Sequence, residues 1–441
     1  MTIRSRNAFG LILLVLACAT AAHAQTASWP QLGYNSGHTG YNASELVITR
    51  KNVKALANIG SFSVNAEMKS PVIYKGAIYI RSLDGNVYAF VLASGRLKWS
   101  VAVALPGAGS SDDIAIADNH LIVTCFVTST PGPTSGICAL DPKTGSVLWT
   151  YAISYGGPFT APVIAGGTVY LGQSGVQPDG NGTGAIVAVN LFNGKERWRF
   201  WSCAPGPVCM KLGSGVPAVD GGLVYFGCSG GPQYAAKVIG TCALNATTGA
   251  LVWNAQIGDP TWGDWQGRLV ARKGTLYEAY QTANCYNCGY TIDIVALNET
   301  SGATLWDTPI TSQLVNSFYP TGAPTLGQTG TAYQAISTSN NANQPNLFAV
   351  DATGTIAWRL STIQNLGNTA TVVGGGAKQV LFYACFGNGT QGTTCAYNPH
   401  NGSLLWTSSD QNLASRFAPV VAGGVVYNDC NSNSVCAYAP H

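Results

Sequence analysis

Charge is scarce in this sequence: only 9% of its 441 residues are Asp, Glu, Lys or Arg, while 10% are aromatic. A disordered chain needs high charge and few aromatics, so extended disorder is excluded. Basic blocks are absent as well. The 22 Lys and Arg are scattered among 19 Asp and Glu, so the electrostatic footprint of a nucleic-acid binder is missing. Beyond the N-terminus no apolar run is long enough to cross a bilayer as a helix. Past the first 24 residues, histidine is limited to His38, His120, His400 and His441, too widely spaced to signal a metal cluster or a Ser-His-Asp arrangement. No two cysteines are adjacent. The one Cys-x-x-Cys, Cys285-Tyr-Asn-Cys288, is followed by Gly289 rather than His, which excludes c-type haem attachment.

Glycine is abundant, with 53 residues, and much of it belongs to a repeated word, Gly-x-x-x-Trp. The word ends at Trp99, Trp149, Trp198, Trp253, Trp306, Trp358 and Trp406, with spacings of 48 to 55 residues. An Ala stands ten residues before the Trp in six cases; in the seventh, Ala349 stands nine before Trp358. A fixed period of about 50 residues is the mark of a repeat architecture. Each period reads as four short strands. In the first, Pro71 to Tyr74, Ala77 to Ile80, Asn86 to Phe90 and a strand from Arg96 are separated by Lys75-Gly76, Asp84-Gly85 and Ser94-Gly95. Pro suits the start of the first strand, as in Ala161-Pro162, Val216-Pro217, Ala323-Pro324 and Ala418-Pro419. Four antiparallel strands per period make a propeller blade. Gly supplies the positive φ of the turn, Ala leaves room on the blade face, and the seven Trp residues pack between sheets in a structural role.

An eighth period begins at Phe417 but stops at His441 without an outer strand, while a strand from Ile59 to Val64 has no blade of its own. Joining the two closes the ring and removes a free sheet edge. The expectation is an all-β fold: an eight-bladed β-propeller of four-stranded antiparallel blades, closed by an N-terminal strand completing the last blade. Gly60 then stands where the other outer strands carry Trp, so the closing blade leans on Cys430/Cys436.

The expected divisions are residues 1–24 as signal peptide, 25–56 as an N-terminal extension and 57–441 as the propeller. Arg4 and Arg6, the apolar run Leu11 to Ala17 and Ala22-His23-Ala24 have the order of an export signal. A second reading makes Val15-Leu16-Ala17-Cys18 a lipoprotein signal, anchoring Cys18 at the outer membrane. Either way the chain is expected to be exported, periplasmic or secreted. The twelve later cysteines form six sequence-local pairs: Cys125/Cys138, Cys203/Cys209, Cys228/Cys242, Cys285/Cys288, Cys385/Cys395 and Cys430/Cys436. In an oxidising compartment these read as disulfides in preference to metal ligands.

The pattern Ala-x-(Asp/Asn)-x-x-x-Gly-x-x-x-Trp, seen from Ala139 to Trp149 and from Ala243 to Trp253, resembles the PQQ-like repeat family of propellers. Trp29-Pro30, Asn52-Val53 and Leu56 look like the N-terminal approach of its eight-bladed quinoproteins. That family includes quinone-dependent alcohol dehydrogenases and the assembly lipoprotein of the BAM complex. The resemblance implies the fold, and raises pyrroloquinoline quinone and calcium as cofactors. The dehydrogenases' adjacent cysteines are missing, and their calcium-binding Glu, Asn and Asp find no match.

Propellers usually bind ligands at the axial mouth, on loops entering each blade. The richest such loop holds Trp262, Asp264, Trp265 and Arg268. Its indoles suit a flat ring or a sugar, and its charges would orient polar groups; the competing reading is a loop folded on itself. Asp112 and Asp113 open the second blade and read either as a calcium ligand or base, or as solvated acids. Three functions stand. The leading one is a non-catalytic binding or scaffolding module of the bacterial envelope, a monomer whose partner is an envelope protein or a small polar ligand. The others are a quinone-dependent dehydrogenase of alcohols, sugars or a polymer, and a carbohydrate-binding propeller.

Overall fold

A computed structural model of the chain describes residues 27–441 except 105–112, 130–131, 153–159, 174–183, 202–210, 213–215, 230–238, 258–264, 284–289, 312–317, 321, 339–344, 363–364, 367–368, 387–391 and 410–416. It is an eight-bladed β-propeller. Blade 1 is Val72–Tyr74, Ala77–Arg81, Asn86–Val91 and Leu97–Ala102, hydrogen-bonded in that order. Blades 2 to 7 repeat the meander over 115–152, 163–201, 218–257, 270–309, 325–360 and 371–407. Blade 8 is Val420–Ala422, Val425–Asn431 and Ser434–Pro440, completed by Leu56–Ser63 from the other end of the chain. The closing strand pairs antiparallel with Ser434–Pro440, as the unpaired segment near Ile59 led one to expect.

The repeated word works between blades. Within a blade the Trp lies opposite the Ala of the preceding strand, as Trp99 does with Ala89 and Trp358 with Ala349, and a bulge follows. The shorter spacing before Trp358 is therefore a shorter turn with the same pairing. Six of the seven indoles then reach the next blade and lie on the Gly of that blade's word, while Trp406 donates its N–H to Leu56 O of the closing strand. A Cβ on Gly194 would stand 2.6 Å from Trp149, and one on Gly302 would stand 2.6 Å from Trp253. Gly145, Gly249, Gly354 and Gly402 meet Trp99, Trp198, Trp306 and Trp358 in the same way. The indole N–H donates to a carbonyl beside that Gly: Trp149 to Leu191 at 2.8 Å, Trp253 to Glu299 at 2.9 Å, Trp358 to Pro399 at 2.9 Å. Gly is thus required twice, for a φ near +70° and for its missing side chain.

At the closure Gly60 lies opposite Ala437, the register that Trp holds elsewhere. No indole covers Gly95 of blade 1, where a Cβ would meet nothing within 4 Å. The seam is filled instead by Phe62, whose ring lies 5.7 Å from Phe90 and 6.3 Å from Tyr427. Cys430 and Cys436 are bonded in this blade. Cys125–Cys138, Cys228–Cys242 and Cys385–Cys395 likewise bridge the second and third strands of their blades. Cys203, Cys209, Cys285 and Cys288 lie outside the described residues.

The segment before the closing strand packs along the axis of the ring. It runs once around the axis and touches all eight inner strands in order. The buried amides of Ile73, Ile116, Val219, Ala271, Leu326 and Val372 donate to the carbonyls of Trp29, Pro30, Ser36, Gly37, Thr39 and Gly40 at 2.8 to 2.9 Å. Ile164 donates its amide to Gln31 Oε1 at 2.8 Å. In blade 8 the contact reverses, with Asn42 Nδ2 donating to Val421 O at 2.8 Å. Glu45 Oε2 then accepts from Gly424 N, fixing the segment to blade 8 before it becomes that blade's outer strand. Inner strands are sheet edges, and this axial plug supplies the partners that their amides would otherwise lack.

Candidate functional site

Ahead of the plug-bound positions, the starts of the inner strands form a wall around the axis. Three residues before each plug-bound position, the wall reads Ser70, Asp113, Ala161, Val216, Arg268, Ala323, Thr369 and Ala418. Five of these precede Pro. Blades 2, 5 and 7 depart from the pattern, with Asp113-Ile114, Arg268-Leu269 and Thr369-Ala370, and in blades 2 and 5 the departing residue is charged. The ring therefore brings one carboxylate and one guanidinium to the axis among small and apolar neighbours.

Asp113 Oδ1 accepts from Ser70 N at 3.0 Å. Burial pushes its carboxyl above the usual range, against the pull of the Arg268 charge, the Ser70 amide and Lys69. Burial lowers the Arg268 guanidinium, against the opposing charge of Asp113. Protein surrounds both side chains, yet both keep some accessible surface, as groups lining a recess do. Among the described residues the one side-chain ion pair within 4.0 Å is Arg199–Glu196. Asp113 and Arg268 accordingly feel each other's charge without making an ion pair within 4.0 Å.

His38 lies beneath them in the plug, 1% exposed, with φ +56°. Its Nδ1 is 2.9 Å from Leu32 O and its Nε2 is 2.9 Å from Pro217 O. Two carbonyls favour a doubly protonated ring, but burial and Arg268 outweigh them and lower its pKa to about 4. The scattered histidines of the sequence gave no hint of this placement.

Of the other residues singled out in the sequence, Asp112, Trp262 and Asp264 lie outside the described residues. Trp265 begins a two-residue strand, Trp265–Gln266, which pairs with Thr275–Ala283 of blade 5. Sequence reasoning also missed an acidic group where blade 5 faces blade 4. Thr241 Oγ1 donates to Glu278 Oε2 at 2.8 Å, and Tyr280 Oη donates to Asp307 Oδ2 at 2.6 Å. Asp293 lies opposite Tyr280, and burial with the neighbouring Asp307 pushes it up to about 6. Its signal was available in the repeat: Glu278 stands where blades 1 to 4 carry Ile80, Val123, Leu171 and Phe226.

Pyrroloquinoline quinone with calcium, the cofactor set of the quinoproteins, can be set against this donor set. Calcium takes six to eight oxygens, commonly from several carboxylates. The described wall offers Asp113 alone, facing the positive charge of Arg268, and these residues do not fit that ion. Among the described residues, no three His, Cys, Asp or Glu are gathered as a ligand set. No helix among them is long and apolar enough to cross a membrane.

Comparison with known proteins agrees with the architecture. The family model described as outer membrane protein assembly factor BamB matches residues 48–175, 85–287 and 291–441. The tetrathionate hydrolase of Acidithiobacillus ferrooxidans is 25% identical over 325 residues, covering 66% of this chain and 58% of that protein. BamB of Bordetella pertussis is 28% identical over 192 residues, covering 43% of this chain and 42% of that protein. The chain thus spans less than two thirds of either relative. The solved quinohemoprotein alcohol dehydrogenase of Comamonas testosteroni superposes with a TM-score of 0.62 at 16% identity, covering 96% of this chain and 84% of that one, a likeness of fold. With eight blades in a closed ring and a family match over most of its length, the chain belongs to the PQQ-like propeller repeat family, in the group described as outer membrane protein assembly factor BamB.

Proposed function

We propose that this propeller is an exported, non-catalytic binding module of the bacterial envelope, and that its axial recess takes a small polar ligand between Asp113 and Arg268. The observation that carries the reading is the pair of opposite charges that make no ion pair within 4.0 Å, in a ring whose other described wall residues are small or apolar. Such a pair offers a guanidinium fork to an anionic group and a carboxylate to a donor on the same molecule. The four disulfides support export, because they persist in oxidising compartments. BamB relatives support an envelope setting. Trp262, Asp264 and Trp265, and Asp112 next to Asp113 in the sequence, remain candidates for further contacts with the ligand.

The test combines capture and turnover. Tagged protein is used for affinity capture from envelope extracts of the cells that make it, beside Asp113→Asn and Arg268→Gln variants. The same preparation is titrated with pyrroloquinoline quinone plus calcium, and with tetrathionate, the compound named for one relative's hydrolase activity. A ligand or envelope protein retained by the wild type and lost by both variants supports the reading. Quinone-dependent dye reduction with an alcohol, or breakdown of tetrathionate, overturns it in favour of an enzyme.

A further inference from the structure

A second unusual place lies at the rim between blades 4 and 5, on the hairpin turn Lys273-Gly274. Both turn residues have positive φ, +52° and +87°, which sets two successive amides side by side. Lys273 N donates to Asp220 Oδ2 of blade 4 at 2.9 Å, and Gly274 N donates to Glu299 Oε2 of blade 5 at 3.0 Å. Each carboxylate thus spends one oxygen on the same two-residue turn, which brings the two side chains together from blades 4 and 5. Glu299 is only 3% exposed, and its Oε1 is buried with no hydrogen-bond partner. Asp220 keeps partial exposure beside exposed Gly221 and Gly222, so solvent reaches the pair from one side.

Like charges this close in a partly dry seam repel strongly. Among the described residues no cation makes an ion pair with either carboxylate. Arg272 donates to the carbonyls of Gly327 and Gln328 and lies over the Tyr41 ring, and the Lys273 side chain is exposed. The arrangement is also peculiar to this seam. At the position of Glu299, blades 1, 2, 3, 4, 6 and 7 carry Leu92, Pro142, Leu191, Ala246, Ala352 and Pro399. Repeats that tolerate an apolar residue everywhere else have no packing need for an acid here.

We propose that Asp220 and Glu299 bind a hard divalent cation, with calcium as the fitting ion, and that the ion clamps blade 4 to blade 5. Asp220 Oδ1 and Glu299 Oε1 supply two ligands and water supplies the rest. A site with so few protein oxygens belongs to the weak extracellular class, with dissociation constants of roughly 0.1 to 1 mM. Trp253 reports on it, since its indole N–H donates to the Glu299 carbonyl at 2.9 Å.

The experiment uses purified, chelator-treated protein at pH 8. Thermal unfolding is followed as calcium is added, and terbium luminescence excited through tryptophan reads binding directly. The expected result is a calcium-dependent rise in Tm and terbium emission in the wild type. Glu299→Gln and Asp220→Asn should each weaken binding at least tenfold; two variants guard against one failing to fold. A Tm indifferent to calcium, or a calcium effect unchanged in both variants, overturns the proposal. It is overturned equally if wild-type stability merely falls as pH rises through about 7 and Glu299→Gln abolishes that fall, because the pair then shares only a proton.

Discussion

Single residues in this ring carry separable costs, and two glycines show it. Gly95 and Gly302 occupy the same turn of blades 1 and 5, with φ of +65° and +71°. An alanine at either place is forced into the left-handed region, at about 1 kcal/mol. At Gly302 the added methyl also meets the Trp253 ring at 2.6 Å, whereas at Gly95 it meets open space. Overpacking of that kind costs roughly a further 1 to 3 kcal/mol. Urea unfolding should therefore show Gly302→Ala to be at least twice as destabilising as Gly95→Ala, and equal losses would remove the claim that the Trp rests on the glycine. His38 gives a second prediction. Its folded pKa of about 4 is below the ordinary 6.5, so the unfolded chain binds the extra proton between those values. Stability due to the neutral ring is then complete above pH 6.5 and is lost as pH falls toward 4, by about 3 kcal/mol at most. Comparing unfolding midpoints at pH 7 and pH 4 for wild type and His38→Gln checks this. The variant should lose less stability on acidification, and identical losses would show that His38 is uninvolved.

The element that most changes the picture is the axial plug. Seven inner-strand amides use it as their acceptor, all from buried residues. A buried donor left unpaired costs roughly 1 to 3 kcal/mol, so seven together rival the whole stability of a domain, about 5 to 15 kcal/mol. Deleting residues 27–48 is expected to abolish a cooperative thermal transition, while a milder change should act locally. Gly37 is the place for it: its φ is not left-handed, and its only constraint is space, since a Cβ would lie 2.1 Å from Ala271 O. Gly37→Ala must displace the strand contact at blade 5. The expected outcome is a loss of about 2 to 3 kcal/mol with faster proteolysis inside residues 29–48. Unchanged proteolysis of that segment would mean that the plug is not held at Gly37. This element was illegible in the sequence for a physical reason. Most of its contacts to the inner strands are backbone to backbone, repeat with no period, and join residues up to several hundred positions apart, so side-chain patterning does not record them.

At the scale of the molecule the ring was legible because its seams reuse one side chain. Seven Trp residues mark seven blades, and the two incomplete ends of the chain supply the eighth, with Gly60 opposite Ala437 in the register that a Trp takes elsewhere. The recess was legible only in fragments. Asp113 and Arg268 stood out as charges in a loop and at a strand start, but their meeting depends on closing blades 2 and 5 onto one axis. His38 comes to them from a segment with no periodic signal. The same reasoning identifies the seam between blades 8 and 1 as the ring's weak point. It lacks the indole-on-glycine contact made at the six seams from blade 1 to blade 7, and its strand Leu56–Ser63 comes to the blade from the other end of the chain. Phe62 is the compensating filler, 5% exposed and packed on Phe90 and Tyr427. Removing it leaves a cavity in a seam that has no second anchor of its kind, so Phe62→Ala should cost about 3 to 5 kcal/mol. The loss should also be local in hydrogen exchange, with amides of Leu56–Ser63 and Ser434–Pro440 opening well before those of blades 3 to 6. Trp253→Ala is the control, because it removes a ring of greater size from a seam that lies away from the closure. If both variants open the closing blade first, the closure is the weak point whatever is changed; if Phe62→Ala opens all blades together, the ring unfolds as one unit and the seam has no special standing.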